Sequence, residues 1–283
     1  MLLIVAIIAV GGFVAFGIYL YLVQDRFVFY PTREIEATPA DIGLDYRDVM
    51  IEVADGERIH AWYVPAPAGS GAESDASAEH RRPTVIFCHG NGGNISHRLA
   101  TIEFITKLDA NIMLFDYRGY GRSGGSPSEA NIYADADACY RWLLDKTNAR
   151  PDRIVWFGRS LGGAVAVELA TRAECAGLIV ESSFTSAREM GRRMFPFFPV
   201  GLLLRYEFDS VAKIGRVNCP VLVTHSREDD IVPYSMGRRL YERAAEPKKF
   251  LDFTGDHNAR GYMAQEDYLK AVRSIIYPHG EEF

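Results

Sequence analysis

The stretch Val155-Trp156-Phe157-Gly158-Arg159-Ser160-Leu161-Gly162-Gly163-Ala164-Val165-Ala166 decides the fold. The run up to Gly158 is unbroken apolar sequence, the pattern of a strand buried on both faces, and Leu161 to Thr171 reads as a helix. Ser160 therefore falls on the turn between them, in the Gly-x-Ser-x-Gly arrangement of a nucleophile elbow. Such a turn is tight enough that its neighbours carry almost no side chain, hence Gly158 and Gly162, and it holds the serine hydroxyl clear of the sheet. It also aims the helix N-terminus and the Leu161 N–H at the place where a carbonyl oxygen would become an oxyanion. A chance match in a surface loop would lack the strand and helix on either side.

The 283 residues, 48% hydrophobic and 24% charged, are enough for one large globular domain with an additional segment. A formal net charge of −6 provides no basic surface for phosphate backbones, so nucleic acid is not an expected partner. Cys88, Cys139, Cys175 and Cys219 show no Cys-x-x-Cys spacing and read as free buried thiols, which favours a reducing compartment. Their even number leaves two bridges open.

The additional segment is N-terminal. Met1 to Val23 carries no charged side chain and as a helix would extend about 34 Å, enough to cross a bilayer. A cleaved secretory signal would need a basic start and a small-x-small cleavage site, whereas the first charges here are Asp25 and Arg26, after the apolar run. Residues 1–24 are therefore expected to be an uncleaved single-pass anchor that does not pack on the domain, since the helix has no polar face. The domain that follows is expected to be soluble without it. Arg26 and Arg33 flank its C-terminal side, which places that domain in the cytoplasm by the positive-inside tendency.

Tyr46–Val53 and Arg58–Val64, split by Ala54-Asp55-Gly56-Glu57, read as a hairpin. Residues 65–83, rich in Ala, Gly, Ser, Pro and Glu, read as a flexible loop. From Thr84 buried strands alternate with helical patterns to Ile276, which implies a mainly parallel sheet covered on both faces. Reacting groups then gather beyond the C-terminal strand edges. The first such edge is His89-Gly90-Asn91-Gly92-Gly93-Asn94, where the Asn91 N–H is a second oxyanion donor beside Leu161 and His89 anchors the turn. The second is Asp116-Tyr117-Arg118-Gly119-Tyr120-Gly121, in which Asp116 is expected to tie Arg118 or backbone donors.

These three glycine-rich edges, in this order behind an apolar helix, resemble the membrane-anchored serine hydrolases of the bud-emergence-protein branch of the α/β-hydrolase superfamily. The resemblance covers roughly Phe27 to the C-terminus and divides the chain into an anchor, 1–24, and an α/β-hydrolase domain, 25–283. It implies a mostly parallel eight-stranded sheet with helices on both faces, a Ser-Asp-His triad in chain order, and hydrolysis of acyl esters or thioesters. The acid must lie at a later strand end, where Glu228, Asp229 and Asp230 compete after Val221–Ser226. The family pattern lands on Asp229, with Asp230 second and Glu228 read as solvated; Ser226 stands where the family has glycine. The base must come last, and Phe253-Thr254-Gly255-Asp256-His257 offers His257. An imidazole with a pKa near about 6.5 both takes and returns a proton at neutral pH. His60, His80, His97, His225 and His279 have no comparable setting and no metal-ligand spacing, so neither metal nor cofactor is expected.

Residues 183–216 occupy the position of a short lid. Arg188 and Arg192, and Met190 and Met194, are four apart, as on an amphipathic helix, which Pro196 and Pro199 then break. Phe184, Phe195 and Phe198, with Phe197, are expected to wall an acyl pocket, and Arg192, Arg193 and Arg205 to meet anionic head groups. The plain alternative is a lid helix packed on the sheet edge with its arginines in water. The reading is a membrane-anchored serine esterase or thioesterase acting on a lipid-like or acylated substrate. A serine aminopeptidase shares the triad, but no acidic cluster is evident to hold a substrate ammonium. An inactive scaffold on this fold would not need a complete triad.

Overall fold

The computed structural model of the chain describes residues 1–67 and 82–278. Eight strands form one sheet: β1 (Arg47–Glu52), β2 (Arg58–Val64), β3 (Thr84–Cys88), β4 (Asn111–Phe115), β5 (Ile154–Arg159), β6 (Gly177–Glu181), β7 (Val221–Ser226) and β8 (Lys248–Phe253). Their spatial order is β8-β7-β6-β5-β3-β4-β2-β1. The β1–β2 hairpin turns at Gly56, whose φ of 85° favours glycine, and β2 is also antiparallel to β4. All other pairs are parallel, so every strand from β3 to β8 ends at the same edge of the sheet.

The helices α1 (Leu2–Val23), α2 (Leu99–Lys107), α3 (Glu129–Lys146), α4 (Leu161–Ala170), α5 (Ala187–Met194), α6 (Val200–Leu203), α7 (Tyr234–Arg243) and α8 (Glu266–Ile276) complete the framework. Because strand side chains alternate, β5 sends Ile154 and Trp156 into one core with Cys139 and Leu143 of α3. Val155 and Phe157 go into a second core with Ile105 of α2 and Val272 of α8. Two-sided burial is the reason that β3 to β7 read as continuous apolar runs rather than alternating ones. All four cysteines are free thiols, with Cys175 and Cys219 in contact at 2.9 Å between sulfurs.

The β5-to-α4 turn lies against the end of β3, where Gly158 pairs with Cys88. A Cβ on Gly162 would collide with the backbone carbonyls of Cys88 and His89, and one on Gly158 with the backbone of Gly162. All ten residues of α4 are buried. Glu168 within it is neutralised by Arg172 and by Lys213 at 2.6 Å, as a buried carboxylate requires.

One expectation lies outside the described residues and one changes. The predicted loop 65–83 lies outside the described residues except at its ends, 65–67 and 82–83. The N-terminal helix, expected to stand apart from the domain, packs on the lid through its last turns. Gly17 and Leu20 are buried, Phe13 stacks on Phe198 at 4.6 Å between centroids, and the Gln24 side chain donates to Leu203 O at 3.2 Å while accepting from Arg205 N–H at 2.7 Å. The reason is local: a helix apolar all round still presents one face to the equally apolar lid, and Gln24 satisfies the backbone groups where the lid chain turns back.

Gly162→Ala is expected to cost about 3 kcal/mol or more, since the blocking atoms are backbone and cannot rotate away. Thermal unfolding of the purified variant checks this; a melting temperature within a degree of the parent would contradict the close approach.

Candidate active site

Ser160 adopts φ 54° and ψ −119°, a backbone strain worth about 1–3 kcal/mol that neighbours must hold in place. Its N–H donates to Glu181 O at 2.9 Å, and its carbonyl accepts from Ser183 Oγ at 2.8 Å. The Leu161 N–H, first in α4, has no acceptor among the described residues, and neither has that of Asn91. The Asn91 carbonyl is fixed by the Tyr30 N–H at 3.0 Å and the Tyr120 hydroxyl at 2.8 Å. Gly90 lies so close that a Cβ there would sit 3.6 Å from Ser160 Cβ. The two predicted oxyanion donors thus flank the serine with their N–H groups uncommitted. His89 anchors this loop as expected: its Nδ1 lies 2.6 Å from Gly90 O, its ring packs on Tyr117, and its carbonyl accepts from the Tyr117 hydroxyl at 2.8 Å. Burial pushes its pKa down to about 3, so it is a neutral ring.

His257 Nδ1 is 2.8 Å from Asp229 Oδ2. The other oxygen of Asp229 accepts from the Ile231 and Val232 N–H groups at 3.0 and 2.7 Å, and its side chain is out of solvent. Burial alone would raise this carboxyl, but hydrogen bonds from His225 and His257, with the His257 charge and the Val232 N–H, outweigh it and hold the acid well below the usual carboxylate range. The competing acids have other work. Asp230 accepts from the His257 N–H at 3.0 Å, and Glu228, expected to be solvated, accepts from the Gly255 N–H at 2.9 Å. Three consecutive acids therefore all hold one loop, each through a different group. His225, read from sequence as having no comparable setting, lies 3.4 Å from the same Asp229 oxygen and 2.9 Å from Val232 O. Its position four residues before Asp229 on a strand end was the available signal.

A second support reaches His257 from the other side. Tyr262 donates to the buried Glu181 at 2.7 Å, Tyr268 to its other oxygen, and Arg159 Nε lies 3.2 Å from the first. Arg159 in turn donates to the His257 carbonyl. Nothing in the spacing of these residues announced this cluster. Of the two kinds of partner expected for Asp116 it takes the backbone one, accepting from the Ile95 N–H at 2.9 Å, while Arg118 pairs with Asp135 at 2.7 Å and with Asp55 at 2.5 Å.

Ser160, Leu161, Asn91 and His257 line one cavity of about 670 Å³. Phe184, Phe195 and Phe198 line it too, as expected, but Phe197 points away and is 87% exposed. Leu20, Tyr21, Gln24 and Phe27 of the N-terminal segment form part of its wall, which sequence reading missed. Arg205, expected to meet head groups, is instead paired with Asp25 at 2.7 Å and lies over Tyr21. Among the described residues no cluster of His, Cys, Asp and Glu has the makings of a metal site.

Residues 85–271 match the model of the alpha/beta hydrolase family, and the chain belongs to that family. It is 36% identical over 273 residues to the Mycobacterium tuberculosis protein Rv2307c, covering 95% of this chain and 94% of that protein. It is 33% identical over 298 residues to the Arabidopsis thaliana alpha/beta hydrolase domain-containing protein WAV2, covering 96% and 94%. Among solved structures, the Pyrococcus furiosus esterase Pf2001 superposes with a TM-score of 0.70 at 22% identity, covering 88% of this chain and 98% of that one. A puromycin-hydrolyzing peptidase of Mycobacterium tuberculosis shares the fold with a TM-score of 0.66 at 20% identity, over 84% of this chain and 40% of that one.

Removing residues 1–24 strips Leu20, Tyr21 and Gln24 from the cavity wall and uncovers Phe198. The truncated chain is expected to bind an apolar fluorescent dye and to self-associate in the absence of detergent, whereas a helix independent of the domain would leave a soluble domain that does not aggregate. Sedimentation velocity decides between them.

Proposed function

We propose that the chain is a membrane-anchored serine hydrolase of the bud-emergence-protein-like branch that cleaves acyl esters or thioesters of lipid-like substrates through Ser160, Asp229 and His257. The observation that carries this reading is the meeting of a strained serine and an aspartate-held histidine in one cavity with a largely apolar lining that includes the N-terminal helix. In this mechanism Asp229 accepts a hydrogen bond from the Nδ1–H of His257, which leaves Nε2 unprotonated and able to take the Ser160 proton as Oγ attacks the acyl carbonyl. The oxyanion accepts hydrogen bonds from the Asn91 and Leu161 N–H groups. His257 returns the proton to the leaving group, and water, activated in the same way, releases the acyl chain. No Asp or Glu side chain among the described residues lines the cavity, so a substrate ammonium finds no counter-charge and an aminopeptidase reading loses support.

The position of the lid bears on how substrate arrives. Phe13 lies ten residues before the end of α1, so the lid residue stacked on it sits about 15 Å up the helix axis. A bilayer core of about 30 Å needs nearly all of α1, so a fully inserted helix carries Phe198 to about half the depth of that core and the lid past the interfacial layer. Phe197 and Met194, exposed at 87% and 55%, are the lid's apolar contacts with lipid. A lipid acyl chain then passes from the bilayer into the cavity without crossing water. Arg26 and Arg33 on the C-terminal flank favour a cytoplasmic catalytic domain.

Ser160→Ala and His257→Ala are each expected to abolish turnover of p-nitrophenyl esters and labelling by a fluorophosphonate probe, because the two act as one unit. Asp229→Asn is expected to lose about 10⁴ in kcat, as an acid that sets the imidazole tautomer does. Asp230→Asn, which touches only the His257 backbone, should lose far less; a reversed ranking refutes the assignment of the acid. Replacing Phe195 and Phe198 with serine should lower kcat/KM for long-chain esters relative to acetyl esters, and an equal fall for both would place these rings outside the acyl site.

A further inference from the structure

The cavity is electrically one-sided. Arg98, Arg159 and Arg260 line it together with His97, and no carboxylate does so among the described residues. Arg159 is neutralised by Glu181. Arg98 and Arg260 have no carboxylate within 4.0 Å among the described residues: Arg98 donates to Gly92 O and keeps a buried Nε without a partner, and Arg260 donates to His97 O at 3.0 Å. The neighbouring acids are engaged elsewhere, Glu36 with His97 at 3.1 Å and Asp116 with the Ile95 N–H. Burial, followed by the charges of Arg159 and Arg260, lowers the Arg98 pKa to about 10, so the three guanidinium groups repel one another across the site. Like charges gathered around a partly desolvated cavity are unfavourable until an anion joins them.

Their placement identifies which part of the substrate they would meet. Arg260 follows His257 by three residues on the same loop, and Arg159 holds the His257 carbonyl. In the proposed mechanism His257 protonates the leaving group, so the leaving group lies on this side and the acyl chain on the side of the lid and α1. We propose that Arg98 and Arg260 form an anion subsite for the leaving group, so that the preferred substrate is an acyl ester whose alcohol portion carries a phosphate or carboxylate. This inference rests on the serine hydrolase reading and deepens it.

The test uses the full-length protein in mixed micelles of a non-ionic detergent. Three substrates share one acyl chain: a 1-acylglycerol, a 1-acylglycerol 3-phosphate and an acyl ester of glycerate. The parent is expected to show a kcat/KM at least about tenfold higher for an anionic substrate than for the neutral one, the scale of one charge-assisted hydrogen bond. The ranking of phosphate against carboxylate then identifies the anion. Arg260→Gln, at an exposed position that tolerates substitution, should reduce that ratio about tenfold, and Arg260→Lys should retain part of it. Equal turnover of all three substrates by the parent, or a ratio untouched by Arg260→Gln, overturns the subsite. Fluorophosphonate labelling of Ser160 and turnover of p-nitrophenyl acetate report separately on the hydrolase reading: if both persist while the ratio is flat, only the anion subsite falls.

Discussion

The fold turns on the place where backbone meets backbone without side chains between, at Gly158 and Gly162 against the end of β3. This contact brings the β5-to-α4 turn and the loop after Cys88 into one site, so the Ser160 hydroxyl and the N–H groups of Asn91 and Leu161 are set by a single packing event. It also explains the unfavourable φ of Ser160. A strained residue persists only where its surroundings over-determine it, and here Glu181 and Ser183 hold both sides of its peptide. For the proposed reaction, positioning of this kind would place donors before any charge develops and leave little reorganisation when it does.

The histidine arm is held in a complementary way, by charge rather than by close packing. Glu228, Asp229 and Asp230 reach the Gly255 N–H, the His257 ring and the His257 N–H. Arg159, itself steadied by Glu181 and two tyrosines, holds the His257 carbonyl. A loop bound at ring, amide and carbonyl has few ways to move, which would suit the imidazole's proposed role, where it must face its partners within a fraction of an ångström. His225 adds a second ring beside Asp229, so one carboxylate organises two histidines of unequal role.

The cavity connects these parts to the N-terminal helix. Its walls come from the lid, the oxyanion loop and the last turns of α1, which makes that helix a component of the site as well as the chain's most apolar segment. α1 and the lid contribute aromatic and aliphatic side chains to its lining, whereas the loops around Asn91 and His257 and the turn at Ser160 contribute arginines. This uneven lining suits the amphiphilic substrate proposed for the site.

How much of this was legible from sequence follows the range of the interactions involved. The parallel sheet and its order of strands and helices were readable, because buried strands are continuous apolar runs and β3, β6 and β8 begin and end where apolar pattern and turn residues change. Ser160 and His257 were readable because the elbow needs its glycines next to the serine and one histidine lies in the loop directly after the last strand; Asp229 needed the family resemblance as well, since three acids stood side by side. The positions of Glu181, His225 and Arg98 were not readable, nor was the docking of α1 on Phe198. Each depends on which strand ends the sheet brings together across scores of residues, and no local pattern records it. An apolar helix is the same string whether lipid or a lid covers its last turns. Only the tertiary structure, by placing Leu203 O and the Arg205 N–H opposite Gln24, decided that it is both anchor-like in sequence and part of the cavity wall.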